Sequence, residues 1–147
     1  MTAMTSGSML HRSTWLKAGP FDERLFIDSV DNEYCLRIRS VGMHIVQSER
    51  AVLLHTLGKF TFRKFLGRKL VATNHSPQRR YYMTRNRLFL LSRYPRDWRW
   101  IRFHVREMIW ELVSILCVEE HKFSKIAFML RGALDFTRGR WGCQIPL

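Results

Sequence analysis

The chain has 147 residues and a mass of 17.6 kDa, enough for one domain or for part of a larger one. Its hydrophobic content of 46%, with 13% aromatic residues, excludes a disordered or collagen-like chain. The formal charge of +13 comes from the middle of the sequence, because residues 59–106 carry 14 Lys and Arg against one acid, Asp97, and both flanking segments are neutral. An electrostatic partner is therefore expected to bind this middle segment.

Cysteine spacing and the lengths of apolar runs indicate the environment in which the protein works. Cys35, Cys117 and Cys143 are widely separated, which disfavours a zinc site or a disulfide framework and favours a reducing environment. No signal-peptide pattern opens the sequence. The apolar run at 112–118 is far shorter than the ~20 residues of a membrane span. The sequence predicts a protein that is soluble or lies on a membrane surface without crossing it.

The first part of the chain predicts two short helices followed by strands. Ser13 and Asp31 are suitable N-caps, and Gly19 and Gly42 are suitable helix stops. Aliphatic and β-branched residues then form two short runs. The expected order is a helix at 13–19, a turn at 20–23, a helix at 31–41, and strands at 43–47 and 51–54.

The second part predicts mainly helices. Residues 59–70 interleave Phe with Lys and Arg, which is typical of an amphipathic helix or a mobile loop, and Gly67 weakens the helical interpretation. Ser76 as cap and Pro77 in the first turn are a strong helix start, and Pro95 ends that pattern. Helices are expected at 77–93, 98–118 and 123–137.

The chemically suggestive stretch is an acidic cluster at a loop-to-helix junction. Asp28, Asp31 and Glu33 lie within six positions. An ionised carboxylate placed there can accept a proton from a hydroxyl. On the pattern alone, a capped helix with a solvated acidic first turn is the competing interpretation.

Five separated blocks extend this signal, at residues 5–8 (Thr-Ser-Gly-Ser), 19–23 (Gly-Pro-Phe-Asp-Glu), 26–37 (around Asp28 and Asp31), 51–58 (Ala-Val-Leu-Leu-His, then Gly58) and 75–86 (His-Ser-Pro through Arg-Asn). Their order resembles the C-terminal half of family 2 glycosyltransferases, most of all the rhamnosyltransferase-like members. The resemblance covers most of residues 5–91.

The resemblance implies an α/β fold: the C-terminal part of a GT-A (Rossmann-like) glycosyltransferase followed by amphipathic helices. The sequence has no Asp-x-Asp and no Gly-rich strand-turn-helix start, so the N-terminal nucleotide-binding half is expected to be missing and the fragment alone to be inactive. The expected division is an acceptor-side catalytic part at 1–58, a basic segment and helix completing the active site at 59–93, and a C-terminal amphipathic helical region at 94–147.

The resemblance also implies roles for individual residues in an inverting transfer. Asp31 would be the general base, and because Val30 replaces the family's preceding Glu, Asp28 is an alternative base. His55 would help to hold a divalent cation, Mg or Mn, in the complete enzyme, with a structural His as an equal alternative. The implied substrate-binding residues are Ser6, Gly7, Ser8, Glu33, Arg37, Arg79, Arg80, Tyr82, Arg85 and Asn86.

The implied partners are a nucleotide-sugar donor, dTDP-rhamnose, and a lipid-linked or polysaccharide acceptor in cell-surface glycan synthesis. The expected location is cytoplasmic, at the inner face of the cytoplasmic membrane. Aromatic residues beside Lys and Arg at 60–65 and 98–110 favour an anionic membrane surface as a partner. The aromatic residues at 98–110 also fit a buried core. No nucleic-acid-binding motif is visible, so nucleic acid is not expected. The alternative function is an inactive remnant that serves as a basic membrane-surface or interaction module.

Overall fold

The computed structural model describes residues 4, 6–54, 61–65, 68–96 and 98–147. A short 3₁₀ turn, Glu23–Leu25, precedes the helix that begins at Val30. Among the described residues, none of the helices has the length and apolar character that a membrane span requires. The elements in chain order are α1 (Arg12–Ala18), α2 (Val30–Ser40), β1 (Thr61–Phe65), β2 (Arg68–Ala72), α3 (Pro77–Arg93), α4 (Trp98–Cys117) and α5 (Lys122–Thr137).

The five predicted helices are confirmed, and α3 shows why. The Ser76 hydroxyl accepts a hydrogen bond from the backbone N–H of Arg79, and Pro77 occupies the first helical position, where no N–H is needed. The helix ends at Arg93, two residues before Pro95. Start and stop are thus encoded within a few neighbouring residues.

The predicted caps of the first two helices are wrong. In α1 the cap is His11, whose ring Nδ1 accepts from the backbone N–H of Ser13 at 3.2 Å. In α2 the cap is Ser29, in the left-handed conformation (φ 64°) and without a side-chain cap bond, so Asp31 lies inside the first turn. The loop that enters α2, and not a capping side chain, fixes where this helix begins.

The predicted strands at 43–47 and 51–54 are wrong, because these residues have irregular backbone. Val46 is 87% exposed and Leu54 is 95% exposed. Strand propensity reflects packing within a sheet, and no neighbouring strand pairs with these residues in the described part of the chain. The parallel sheet of an α/β fold has no counterpart among the described residues, and the GT-A fold stays a prediction.

The basic stretch at 59–70 is not the amphipathic helix that was one expectation. Its described residues belong to an antiparallel hairpin in which β1 pairs with β2, with Thr61 opposite Ala72 and Phe65 opposite Arg68. Leu66 and Gly67 separate the two strands in the sequence. The described Phe, Lys and Arg residues of this segment therefore lie in a β-hairpin and not in a helix.

The centre of the molecule is α3, which packs along α5 and contacts α2 and α4 through its apolar side chains. The main core cluster contains Leu25, Leu36, Phe89, Leu90 and Trp100. The α3–α5 packing includes a polar contact in which the Tyr81 hydroxyl donates to Asp135 at 2.9 Å. Burial and this bond raise the pKa of Tyr81 to about 12, so the phenol stays protonated and keeps donating.

Gly132 allows α5 to approach α3. A Cβ at this position would lie 2.4 Å from the carbonyl oxygen of Tyr81, which is rigid helical backbone. Gly132→Ala is therefore expected to lower the free energy of unfolding by about 2–3 kcal/mol, although alanine favours a helix more than glycine does. Urea unfolding of the variant checks this, with Ser124→Ala on the exposed side of α5 as the control. Equal stability of both variants would contradict the close approach.

An ion network joins α3 to α4 and α5. Arg80, 2% exposed, donates to Glu111 and, at 2.8 Å, to Glu119, and Lys125 also donates to Glu119 at 2.8 Å. Burial by itself would raise the pKa of Glu119. The hydrogen bond from Lys125 and the charge of Arg80 outweigh this effect and hold the pKa below its ordinary value. The network links the predicted segments 59–93 and 94–147.

Candidate functional site

An open pocket of about 490 Å³ lies where the start of α2 faces α3 and α4. It brings Asp28 and Asp31 of the acidic cluster together with cationic and imidazole side chains. Its wall is formed by Ile27, Asp28, Ser29, Val30, Asp31, Asn32, Arg79, Met83, Arg87 and His104.

The acidic edge of the pocket is a strained loop. Phe26, Asp28 and Ser29 have positive φ of 60°, 61° and 64°, which costs a non-glycine residue on the order of 1–3 kcal/mol. Three such residues within four positions need external support. This loop places Asp28 and the first turn of α2 at the pocket.

The support comes from two fully buried residues of α3. The Asn86 side-chain amide lies 2.8 Å from the carbonyl oxygen of Leu25, 2.7 Å from that of Ile27 and 3.0 Å from that of Asp28. Its own oxygen accepts from Arg85 Nε at 3.0 Å. Both side chains are 0% exposed. Their N–H groups replace water as the hydrogen-bond donors to the loop carbonyls.

The two predicted bases have different surroundings. Arg79 donates from Nε and Nη2 to the two oxygens of Asp28, each at 3.0 Å, which is a bidentate ion pair. Asp31 accepts from the backbone N–H of Asn32 at 2.9 Å, and no cation of the described residues forms an ion pair with it. Asp28 is thus paired with a guanidinium, and Asp31 is a pocket carboxylate that no cation of the described residues pairs with.

His104 and Arg87 form the opposite wall, and sequence analysis missed both. The His104 ring lies 4.1 Å from the Trp100 ring, and burial, aided by the charge of Arg87, lowers its pKa to about 4. The imidazole is therefore neutral at pH 7. Arg87 donates to Glu111 at 2.8 Å. No local motif marks His104, because its place in the pocket depends on how α4 packs beside α3.

The lowered pKa of His104 makes stability depend on pH. Between about pH 6.5 and pH 4 the unfolded chain binds a proton that the folded chain does not, so the free energy of unfolding falls as pH is lowered through this window. His75, whose pKa is lowered by burial and then by Arg79 and Arg80, acts in the same direction. His104→Gln is expected to flatten the profile measured by urea unfolding. The exposed His44→Gln should leave the slope unchanged, and an unchanged slope in His104→Gln would contradict the neutral imidazole.

Glu33 and Arg37, predicted to bind substrate, contact each other. Arg37 donates to Glu33 from Nη2 at 2.6 Å and from Nε at 3.1 Å, and the Tyr94 hydroxyl donates to Glu33 at 3.0 Å. Arg37 also donates to the carbonyl oxygens of Ala18 and Pro20. The pair therefore ties α2 to the end of α1 and to α3.

Other predicted substrate-binding residues also contact protein groups. The Tyr82 hydroxyl donates to the carbonyl of Ile145 at 2.7 Å and accepts from the N–H groups of Gln144 and Ile145 at 3.0 and 2.9 Å, which holds the C-terminal segment. Arg80, Arg85 and Asn86 are buried as described above. Arg79 is the predicted substrate-binding side chain that lies in the pocket wall as the structure describes it.

The predicted acceptor loop, Ser6, Gly7 and Ser8, is exposed and lies outside the pocket wall. Gly7 has φ 76°, and a Cβ there would meet the Leu53 side chain at 2.7 Å. The loop thus packs on the irregular segment around Leu53.

The described residues do not by themselves form a metal centre. They contain no group of three His, Cys, Asp or Glu side chains placed to hold a metal ion, and Asp28 is already bound by Arg79. His55, the predicted metal ligand, lies outside the described residues. The divalent cation stays a prediction for a longer enzyme.

Comparison with known proteins gives one informative relative. The chain is 32% identical over 144 residues to a Shigella flexneri protein named dTDP-rhamnosyl transferase RfbF. The match covers 95% of this chain and 46% of that protein, so the chain spans about half the length of the relative. No family model and no solved structure matches the chain. The resemblance to a rhamnosyltransferase is confirmed, and membership of family 2 stays a prediction.

Proposed function

We propose that this chain supplies the acceptor-side part of a glycosyltransferase active site that moves rhamnose from dTDP-rhamnose to a hydroxyl of a glycan, with inversion at the anomeric carbon. The name of the relative supports the donor and the reaction class. The observation that carries the proposal is that Asp28 and Asp31 share one pocket while Arg79 pairs with Asp28.

Asp31 is the general base in this proposal. It takes the proton of the acceptor hydroxyl as the hydroxyl oxygen bonds to the anomeric carbon, and dTDP leaves with the electron pair of the broken bond. The Asp31 carboxylate suits this role because it lies in the pocket wall and forms no ion pair with a cation of the described residues. A base already held in a bidentate ion pair would lose that pair on protonation, which disfavours Asp28.

Arg79 is the proposed substrate-binding cation. Its Nε and Nη2 are directed to Asp28, so Nη1 is the part of the guanidinium left for a ligand oxygen. Its side chain is 43% exposed, which gives a ligand access to it. Neutral His104 and the Asn32 amide, which both line the pocket, are proposed to hydrogen-bond acceptor hydroxyls.

Three further features are proposed for the longer enzyme of which this chain would be a part. A lipid-linked acceptor, a divalent cation under the diphosphate and a place at the inner face of the cytoplasmic membrane follow from the family resemblance, and we propose them on that ground.

A chimera tests the proposal. The chain replaces the matching part of the S. flexneri relative, and rhamnose transfer from dTDP-rhamnose is measured with the glycan acceptor of that relative. Transfer by the chimera, absent from the remaining part of the relative alone, is the expected result. A folded chimera that binds dTDP but transfers no rhamnose would overturn the proposal and favour an inactive remnant.

A further inference from the structure

The outer face of α4 is apolar and has no protein cover in the described structure. Trp98 is 59% exposed, Ile109 56% and Leu116 52%. Val105 and Leu112 are exposed as well, and these positions follow helical spacing along one side. A contiguous exposed apolar face of this kind marks an interaction site.

Exposed arginines border this face along its first half. Arg99 and Arg102 lie over the Trp98 ring at 5.8 and 5.5 Å, and Arg106 lies over Phe103 at 5.5 Å. All three cations are exposed. Stacking on aromatic rings places the charged guanidinium groups next to the apolar face. One partner can therefore contact the charges and the apolar side chains together.

The second half of the face has no outward charge. Glu111 is the charged residue between Ile109 and Cys117, and it turns inward to accept from Arg80 and Arg87. The helix therefore combines an arginine-bordered start, which lies in the basic segment 59–106, with a mainly apolar end.

We propose that α4 binds an anionic membrane surface, with its apolar side in the headgroup and acyl boundary and its arginines on lipid phosphates. A basic amphipathic helix with aromatic residues is the form that lies in such an interface. A second copy of this chain on the same face would offer the arginines no anionic partner, and nucleic acid would leave Ile109 and Leu116 unused. The proposal does not depend on the transferase reaction.

Vesicle co-sedimentation of the chain tests this. Binding is expected to vesicles with about one-third phosphatidylglycerol and to be at least tenfold weaker with phosphatidylcholine alone. Arg99→Gln, Arg102→Gln and Arg106→Gln together should weaken the partition constant about 100-fold, at roughly fivefold per charge near the surface. The control removes three exposed arginines elsewhere, Arg12, Arg131 and Arg138, by the same change to Gln.

The apolar contribution is tested separately. Ile109→Gln with Leu116→Gln should weaken binding at least tenfold, whereas Leu16→Gln with Leu130→Gln, two exposed leucines of α1 and α5, should not. Circular dichroism confirms that each variant is folded. Equal losses in test and control variants, or equal binding to both vesicle types, would overturn the proposal. So would a concentration-dependent dimer that only Ile109→Gln with Leu116→Gln disrupts.

Discussion

Asp31→Asn in the chimera is expected to lower kcat for rhamnose transfer by about 10²–10⁴-fold, the range that a positioned general base contributes. The amide keeps the shape of the carboxylate but cannot take the acceptor proton. The binding of dTDP should be unchanged, because Asp31 acts on the acceptor hydroxyl. Initial rates and a dTDP binding isotherm measure the two effects separately.

Asp28→Asn is the matched comparison, because it removes a carboxylate from the same pocket. It frees Arg79 from a bidentate ion pair, so the main effect should be a higher KM for the acceptor and a smaller loss of kcat. The exposed Glu23→Gln controls for the loss of a nearby negative charge. If Asp28→Asn abolishes transfer and Asp31→Asn does not, the base is Asp28.

Features encoded by neighbouring residues could be predicted from the sequence. Ser76 and Pro77 define the start of α3 without help from the rest of the chain. The close spacing of Asp28 and Asp31 likewise put both carboxylates at the start of one helix, and both line the pocket. The predicted strands at 43–47 and 51–54 were wrong for the opposite reason, because a strand needs a partner that no local pattern provides.

The roles of the basic residues on α3 depend on distant partners. Arg80 pairs with Glu111 and Glu119 on and after α4, and Arg85 donates to backbone carbonyls at Arg24 and Gly142. A sequence shows that such side chains cluster on a helix, and both a ligand site and a solvated face fit that pattern. Burial of the helix on several sides decides between them, and it follows only from how all the helices pack.

Asn86→Leu is expected to be among the most destabilising substitutions in the chain, by about 3 kcal/mol or more. Leucine has a similar size but removes the donor shared by the carbonyls of Leu25, Ile27 and Asp28 and the acceptor used by Arg85. Each buried group left without a partner costs about 1–3 kcal/mol. Urea unfolding measures the loss, and Gln78→Leu, which removes an amide from the first turn of the same helix, should change stability far less.

Hydrogen exchange locates the effect of Asn86→Leu. The loop from Phe26 to Ser29, in which three residues have positive φ, depends on Asn86 for its fixed geometry. Its amides and those of the first turn of α2 should therefore lose protection by more than the global change in stability. Asp31 would then lose its fixed position, and kcat in the chimera should fall at temperatures where the variant is folded. A uniform loss of protection with unchanged kcat would mean that Asn86 stabilises the core without positioning the base.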